Sequence, residues 1–268
     1  MSQPTIELTS DQIEFYHREG YLVIPDIATS HEIERMRGIY DDLFARRVGR
    51  EEGNQFDLAG TDEDDKEAGL PQILAPSRYA PELKQVQFAT NALAIARQLL
   101  GSNASAMGDH AILKPPFHGA ATPWHQDEAY WSPDWHYNSF SMWLPLQDAT
   151  LDNGCLQFVP GSHRLEVLPH HSIGNNPKIH GLEVDEADVD RAVACPISAG
   201  TCTVHHNRTL HYAGPNNSPV PRRAYILGFG IAGVRRTTPR SFPWNDAKQT
   251  PRQERAKQAE LAAPSTLE

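Results

Sequence analysis

From Gly101 onward the chain breaks into short apolar or alternating runs, SAMGDHAIL, SFSMWLPL, GCLQFV, GTCTVHH and RAYILGFGI, divided by Pro, Gly and Asn. Each has the length and texture of a strand with one or both faces buried. Many short strands separated by turn signals predict a β-sandwich or barrel. Asp152-Asn153-Gly154 marks a tight turn between two of them. There is no internal repeat and no interdomain linker. The chain therefore reads as one domain over 1–268, with a helical part at 1–101, a β core at 102–235 and an extension at 236–268.

The first third carries the helix signals. Ser10 caps a short helix near Asp11–Arg18, which ends at Gly20. YLVIPD, Tyr21 to Asp26, reads as a buried strand. Thr29 with Glu32 forms a capping box. The helix it opens repeats apolar residues at Ile33, Met36, Tyr40, Leu43 and Phe44. Val48–Glu67 reads as a polar loop, with Asp62–Asp65 as a solvated charge run. Pro81–Leu100 reads as a second long helix with Gly101 just beyond it. Lys248–Glu268 is polar and rich in Ala and Gln, a surface helix or frayed tail.

Bulk properties exclude several function classes. A net charge of −10 argues against a nucleic-acid surface. Three cysteines without a CxxC pair suggest free thiols in a reducing compartment. The N-terminus lacks a basic region followed by an apolar run, and no apolar stretch is long enough to span a membrane. The expectation is a cytoplasmic protein acting on a small molecule.

TPWHQDEAYW, Thr122 to Trp131, sets a histidine two residues before a carboxylate. A chain with 13 histidines makes such a match by chance about as often as not, so only context gives it meaning. In an extended segment His125 and Asp127 point the same way and Gln126 the opposite way. Two such ligands need a third from elsewhere. His205, His206 and His211 are the candidates in HHNRTLHYAGPNNSPVPRRAYILGF. After His211 come a turn and then Arg222 and Arg223, of which alternation turns only one inward. Two histidines and a carboxylate on one face of iron leave three coordination positions open. A nearby arginine is suited to a dicarboxylate.

These segments in this order, with KPP at 114–116, Trp143 and NGCLQFVPGSH at 153–163, resemble the phytanoyl-CoA dioxygenase family of iron(II)- and 2-oxoglutarate-dependent oxygenases. The resemblance runs from EFYHREGYLVIPD to RRAYILGF. It implies a mainly β fold, a double-stranded β-helix (jelly-roll, cupin-like) core with flanking α-helices. It implies His125, Asp127 and His211 as iron ligands and Arg222 as the grip on the far carboxylate of 2-oxoglutarate. Met107 and Trp143 match positions lining the cosubstrate. Gln72 is nearest to where the family often has a lysine, and Ala213 stands where a serine is common. The implied chemistry consumes Fe(II)-bound 2-oxoglutarate and O2, gives succinate and CO2, and hydroxylates a C–H bond. Asp127 fills the place that related halogenases leave small, which disfavours halogenation.

Two other readings stand beside it: a metal-binding jelly roll without turnover, and a cupin-type metalloenzyme not using 2-oxoglutarate. The complete ligand set with Arg222 argues against the first; iron-dependent succinate release from 2-oxoglutarate discriminates both from an oxygenase. Tyr130, Trp131, Trp135, His136 and Tyr137 form either a wall of the substrate pocket or a packed cover. Lys114 reads as a surface residue or a contact to an anionic substrate. His163 reads as a loop tie, and His170 and His171 as part of a polar loop.

Overall fold

The computed structural model describes residues 3–262. Eleven strands build two antiparallel sheets. They are β1 (Tyr21–Ile24), β2 (Gln55–Asp57), β3 (Pro71–Leu74), β4 (Ser105–Lys114), β5 (Thr122–His125), β6 (Ser139–Pro145), β7 (Leu156–Phe158), β8 (Val193–Cys195), β9 (Cys202–His206), β10 (His211–Ala213) and β11 (Arg222–Gly230). The larger sheet has the order β1-β9-β6-β11-β4-β3-β2, and the smaller the order β8-β7-β10-β5. Short connections alone cannot produce these orders; the chain crosses repeatedly between sheets, as in a double-stranded β-helix.

Alternation assigns each residue of the large sheet to one of two faces. On β6, Phe140, Met142 and Leu144 join the core formed with the helices, whereas Trp143 belongs to the core between the sheets. On β11, Tyr225, Leu227 and Phe229 face the helices, and Arg222, Ile226 and Gly228 line a cavity between the sheets. The helix-side core fixes the sheet, and the opposite face is free for chemistry.

Helix α1 (Ser10–Glu19) starts from Thr9, one residue before the expected cap, with Thr9 and Gln12 bonding reciprocally. It ends at Gly20, whose φ of 80° is left-handed. Helix α2 (Ser30–Ala45) buries Ile33, Met36, Tyr40 and Leu43. Its expected capping box is half formed: Thr29 accepts from the Glu32 amide, but the Glu32 carboxylate accepts from the Phe88 amide at 3.0 Å. Glu32 thereby caps the next helix instead of its own. That helix, α3, runs only over Gln87–Leu100, because Val86 is extended and Pro81–Lys84 forms a separate 3-10 turn.

The acidic loop is also more ordered than its composition suggests. β2 lies within Val48–Glu67, and Asp62 is buried. Its carboxylate contacts both Arg50 and Arg255 and accepts from the Asp57 amide at 2.8 Å. Removing one partner from a buried ionic cluster leaves the others uncompensated. Asp62→Ala is expected to cost about 3 kcal/mol of stability, read as a lower midpoint in denaturant unfolding.

After the core come a single turn, α4 (Pro243–Asp246), and α5 (Pro251–Ala262). Residues 263–268 of the expected tail lie outside the described residues. The expected surface helix is α5, which buries no residue, and it is tied down: Lys248 and Thr250 just before it are buried, and Arg255 within it donates to the Arg50 carbonyl at 3.0 Å. Among the described residues no helix is long and apolar enough to cross a membrane.

Candidate metal and cosubstrate site

Strand pairing brings the two histidines together. β10 runs antiparallel to β5 with His211 directly opposite His125, and their rings lie 4.1 Å apart. The chain stays extended through Gln126 (φ −122°, ψ 130°) and turns into a 3-10 helix at Asp127. The expected extended run is thus shorter than TPWHQDEAYW, yet long enough to put His125 and Asp127 on one side. Gln126 points the other way, fully buried, accepting from the Leu168 amide and donating to the Arg208 carbonyl, both at 2.8 Å.

The Asp127 carboxylate lies 3.6 Å from Nε2 of each of His125 and His211. The donor atoms of all three residues fall within 4.8 Å of one another. Two atoms each about 2.1 Å from one ion lie about 3–4 Å apart, so one metal ion fits between them. The tautomers suit it too. Nδ1 of His125 bonds the Pro123 carbonyl at 2.8 Å, and Nδ1 of His211 the Thr209 carbonyl at 2.9 Å. With Nδ1–H donating to a carbonyl, Nε2 carries the lone pair and faces the carboxylate.

Charge states follow from the same surroundings. Burial, with the His125 and His205 rings beside it, pushes the His211 imidazolium far below its ordinary range, so the ring is neutral. Burial works against ionisation of Asp127, but His211, His125 and His205 outweigh it and hold the carboxyl well below its usual value. A neutral imidazole and an ionised carboxylate are the forms that bind iron.

Asp127 has two further neighbours. Ser141 Oγ donates to its Oδ2 at 2.9 Å, and Nε2 of His205 stands 3.4 Å from the same oxygen. His205 packs against the triad from β9, and its own Nδ1 is buried without a partner. His206 is turned away toward His163, ring to ring at 5.6 Å. Because Ser141 aims one carboxylate oxygen and leaves the other for metal, Ser141→Ala is expected to weaken iron binding about tenfold, measured by anaerobic equilibrium titration.

A cavity of about 540 Å³ opens over these groups. Arg222 lines it, 1% exposed, with its guanidinium over the Trp143 ring at 5.3 Å. Its Nε and Nη1 are buried and have no hydrogen-bond partner. Burial lowers its pKa to about 9, which leaves it charged at neutral pH. A buried cation with two free donors is a costly arrangement without an anion, and a carboxylate matches its fork. Arg223, on the other face, pairs with Asp41 at 2.7 Å.

The other expected positions also reach the cavity. Gln72 is buried in it, with Nε2 3.5 Å from Nδ1 of His110. Met107 sits at a bulge between β4 and β11, half exposed, where the break in register lets both Met107 and His110 line the cavity. Ala213 lines it without a hydroxyl. Of the aromatic loop, Tyr130 and Trp131 line the cavity, while Trp135 and His136 form an outlying ribbon with 234–235.

Two expectations need correction. Lys114 neither lies on the surface nor meets the cavity. It is fully buried and donates to the carbonyls of Ala120, Ala213 and Gly214 at 2.5, 3.2 and 2.7 Å, pinning the strand that carries His211. His170 does more than sit in a polar loop: it is buried and accepts from the Gln126 amide at 3.1 Å, supporting the backbone between His125 and Asp127. His163 does tie a loop, through the His17 carbonyl at 3.2 Å. The sequence reading missed Ser141, which shares a strand face with Trp143 and was within reach of the alternation rule. It also missed His110, His180, Lys248 and Arg252.

Comparison with known proteins identifies the family. The family model for phytanoyl-CoA dioxygenase (PhyH) matches residues 16–224. A probable alpha-ketoglutarate-dependent hypophosphite dioxygenase of Stutzerimonas stutzeri is 26% identical over 227 residues, 83% of this chain and 79% of the relative. The peroxisomal phytanoyl-CoA dioxygenase of Homo sapiens is 26% identical, covering 84% of this chain and 69% of its own. Among solved structures, EvdO2 from Micromonospora carbonacea var. aurantiaca is 40% identical with a TM-score of 0.78, over 91% of this chain and 99% of that one. EvdO2 has also been solved complexed with 2-oxoglutarate, at 38% identity, TM-score 0.76 and the same coverage. With a jelly-roll core, a site that fits iron and a match over most of its length, the chain belongs to the phytanoyl-CoA dioxygenase family of iron(II)- and 2-oxoglutarate-dependent dioxygenases.

Proposed function

We propose that the protein hydroxylates an unactivated C–H bond of a small organic molecule, using His125, Asp127 and His211 as iron ligands and Arg222 as the anchor of 2-oxoglutarate. The observation that carries this reading is the buried Arg222 guanidinium, with two unpartnered nitrogens, in the cavity that also holds the triad. A metal site without a dicarboxylate cosubstrate has no use for it.

Ferrous iron with 2-oxoglutarate and O2 supplies the oxidising power, and the cosubstrate leaves as succinate and CO2. Arg222 seats the far carboxylate by charge-assisted hydrogen bonds, with Trp143 supporting the guanidinium from below. Ala213 leaves room beside His211. Gln72 and Met107 border the cosubstrate at the β3–β4 side. Tyr130 and Trp131 wall the substrate side. Three free, buried cysteines, Cys155, Cys195 and Cys202, accord with a reducing, cytoplasmic location.

The test is succinate release from 2-oxoglutarate, with and without Fe(II), over a panel of small acids, amino acids and glycosides. Iron-dependent release stimulated by a panel member, with a product heavier by one oxygen, is expected. Absence of release across the panel, together with absence of 2-oxoglutarate binding, contradicts the reading.

A further inference from the structure

The chain carries a net charge of −10, yet its cavity is lined by three cations, Arg222, Lys248 and Arg252. The single carboxylate lining it, among the described residues, is Asp127. Ferrous iron, the Asp127 carboxylate, a 2-oxoglutarate dianion and Arg222 together sum to zero charge. Lys248 and Arg252 are then left over.

Both belong to the segment joining α4 to α5 and the first turn of α5. Lys248 is 8% exposed, and its ammonium sits over the Tyr130 ring at 4.6 Å with no carboxylate paired to it. Arg252 lies with its guanidinium over Phe56 at 4.8 Å, and its Nε is buried without a partner. Asp62, whose charge acts on Arg252, is already held by Arg50 and Arg255. The ring of Tyr130 in turn lies 6.3 Å from that of His125. Tyr130 therefore links Lys248 to the triad side of the cavity, and Lys248 packs against neighbours other than those of Arg222. Burial, with Arg252 next to it, lowers Lys248 to about 7, the mark of a cation that nothing compensates. His180 and Gln253 complete this wall with neutral polar groups.

We propose that Lys248 and Arg252 form an oxyanion subsite, and that the substrate carries a carboxylate or phosphate group that docks there while its C–H bond faces the triad. This deepens the oxygenase reading and rests on it for the position of the reacting carbon. The geometry supplies the pair of donors; aromatic rings beneath both cations keep them from swinging into solvent.

The experiment is equilibrium binding of inorganic phosphate, followed by phosphorus NMR, and of acetate, followed by proton NMR, to protein loaded with zinc and 2-oxoglutarate. At least one anion is expected to bind, and which one does so separates a phosphate from a carboxylate substrate. Lys248→Met and Arg252→Met are each expected to weaken that binding about tenfold, and Lys248→Arg to preserve it. Binding of neither anion, or equal binding in both Met variants as for adventitious surface association, overturns the subsite. Metal and 2-oxoglutarate affinities measured on the same samples are expected to stay within about twofold. Their absence in the wild type sinks the oxygenase reading alone, since sensitivity of anion binding to Lys248 and Arg252 is read independently.

Discussion

Asp127→Ala is expected to release no succinate above the iron-free background and to bind Fe(II) more than about a hundredfold more weakly. The magnitude follows from the arrangement. Neighbours that only orient a ligand cost about 10–100-fold when removed, and Asp127 is both the sole anionic member of the proposed ligand set and the group that His125 and His211 approach at 3.6 Å. Its loss would leave two imidazoles, without the negative charge that offsets the ion. Ser141 and His205 would then face an empty place, and neither can supply a carboxylate oxygen. Anaerobic iron titration alongside succinate release checks both halves. Tight iron binding by the variant would show that the metal sits elsewhere.

Arg222→Leu is expected to raise the 2-oxoglutarate requirement about a hundredfold, with less effect on turnover at saturation. Hydrogen bonds to charged partners contribute about 1.5–3 kcal/mol each, and a fork makes two. A second consequence distinguishes this cation from an ordinary structural arginine. In the metal-free protein its guanidinium is buried with free donors, so replacing it with an apolar side chain is expected to raise the melting temperature. The wild type should in turn gain about 2.7 kcal/mol from 2-oxoglutarate at a hundredfold excess over its dissociation constant, a gain the variant lacks. A lower melting temperature in the variant, with unchanged cosubstrate affinity, would contradict the role given to Arg222.

Much of this site is legible along the chain because strand geometry is local. The two-residue spacing of His125 and Asp127 needs only an extended backbone through Gln126. That only one of Arg222 and Arg223 points inward follows from alternation, which also puts Ser141 on the face of Trp143; which arginine it is comes from the family resemblance. Choosing His211 over His205 is different in kind. Both end up near Asp127, and what separates them is the register of β10 on β5, a pairing across 86 positions that no local pattern encodes.

The misread segments share one cause. Polar composition suggests exposure, while distant partners bury those groups. Asp62 meets Arg255 across 193 positions, and Lys114 meets the Gly214 carbonyl across 100. Lys248 looks like part of a polar tail, yet the Tyr130 ring covers it. Buried charge is invisible to a hydropathy pattern because the groups that cover it come from elsewhere in the fold.

The most direct test of the central claim is an anaerobic crystal structure with Fe(II) and 2-oxoglutarate. Nε2 of His125, Nε2 of His211 and one Asp127 oxygen are expected at about 2.0–2.2 Å from a single ion, with the far carboxylate of the cosubstrate on Arg222. Iron bound by His205 in place of His211, or a cosubstrate lying away from Arg222, would contradict it.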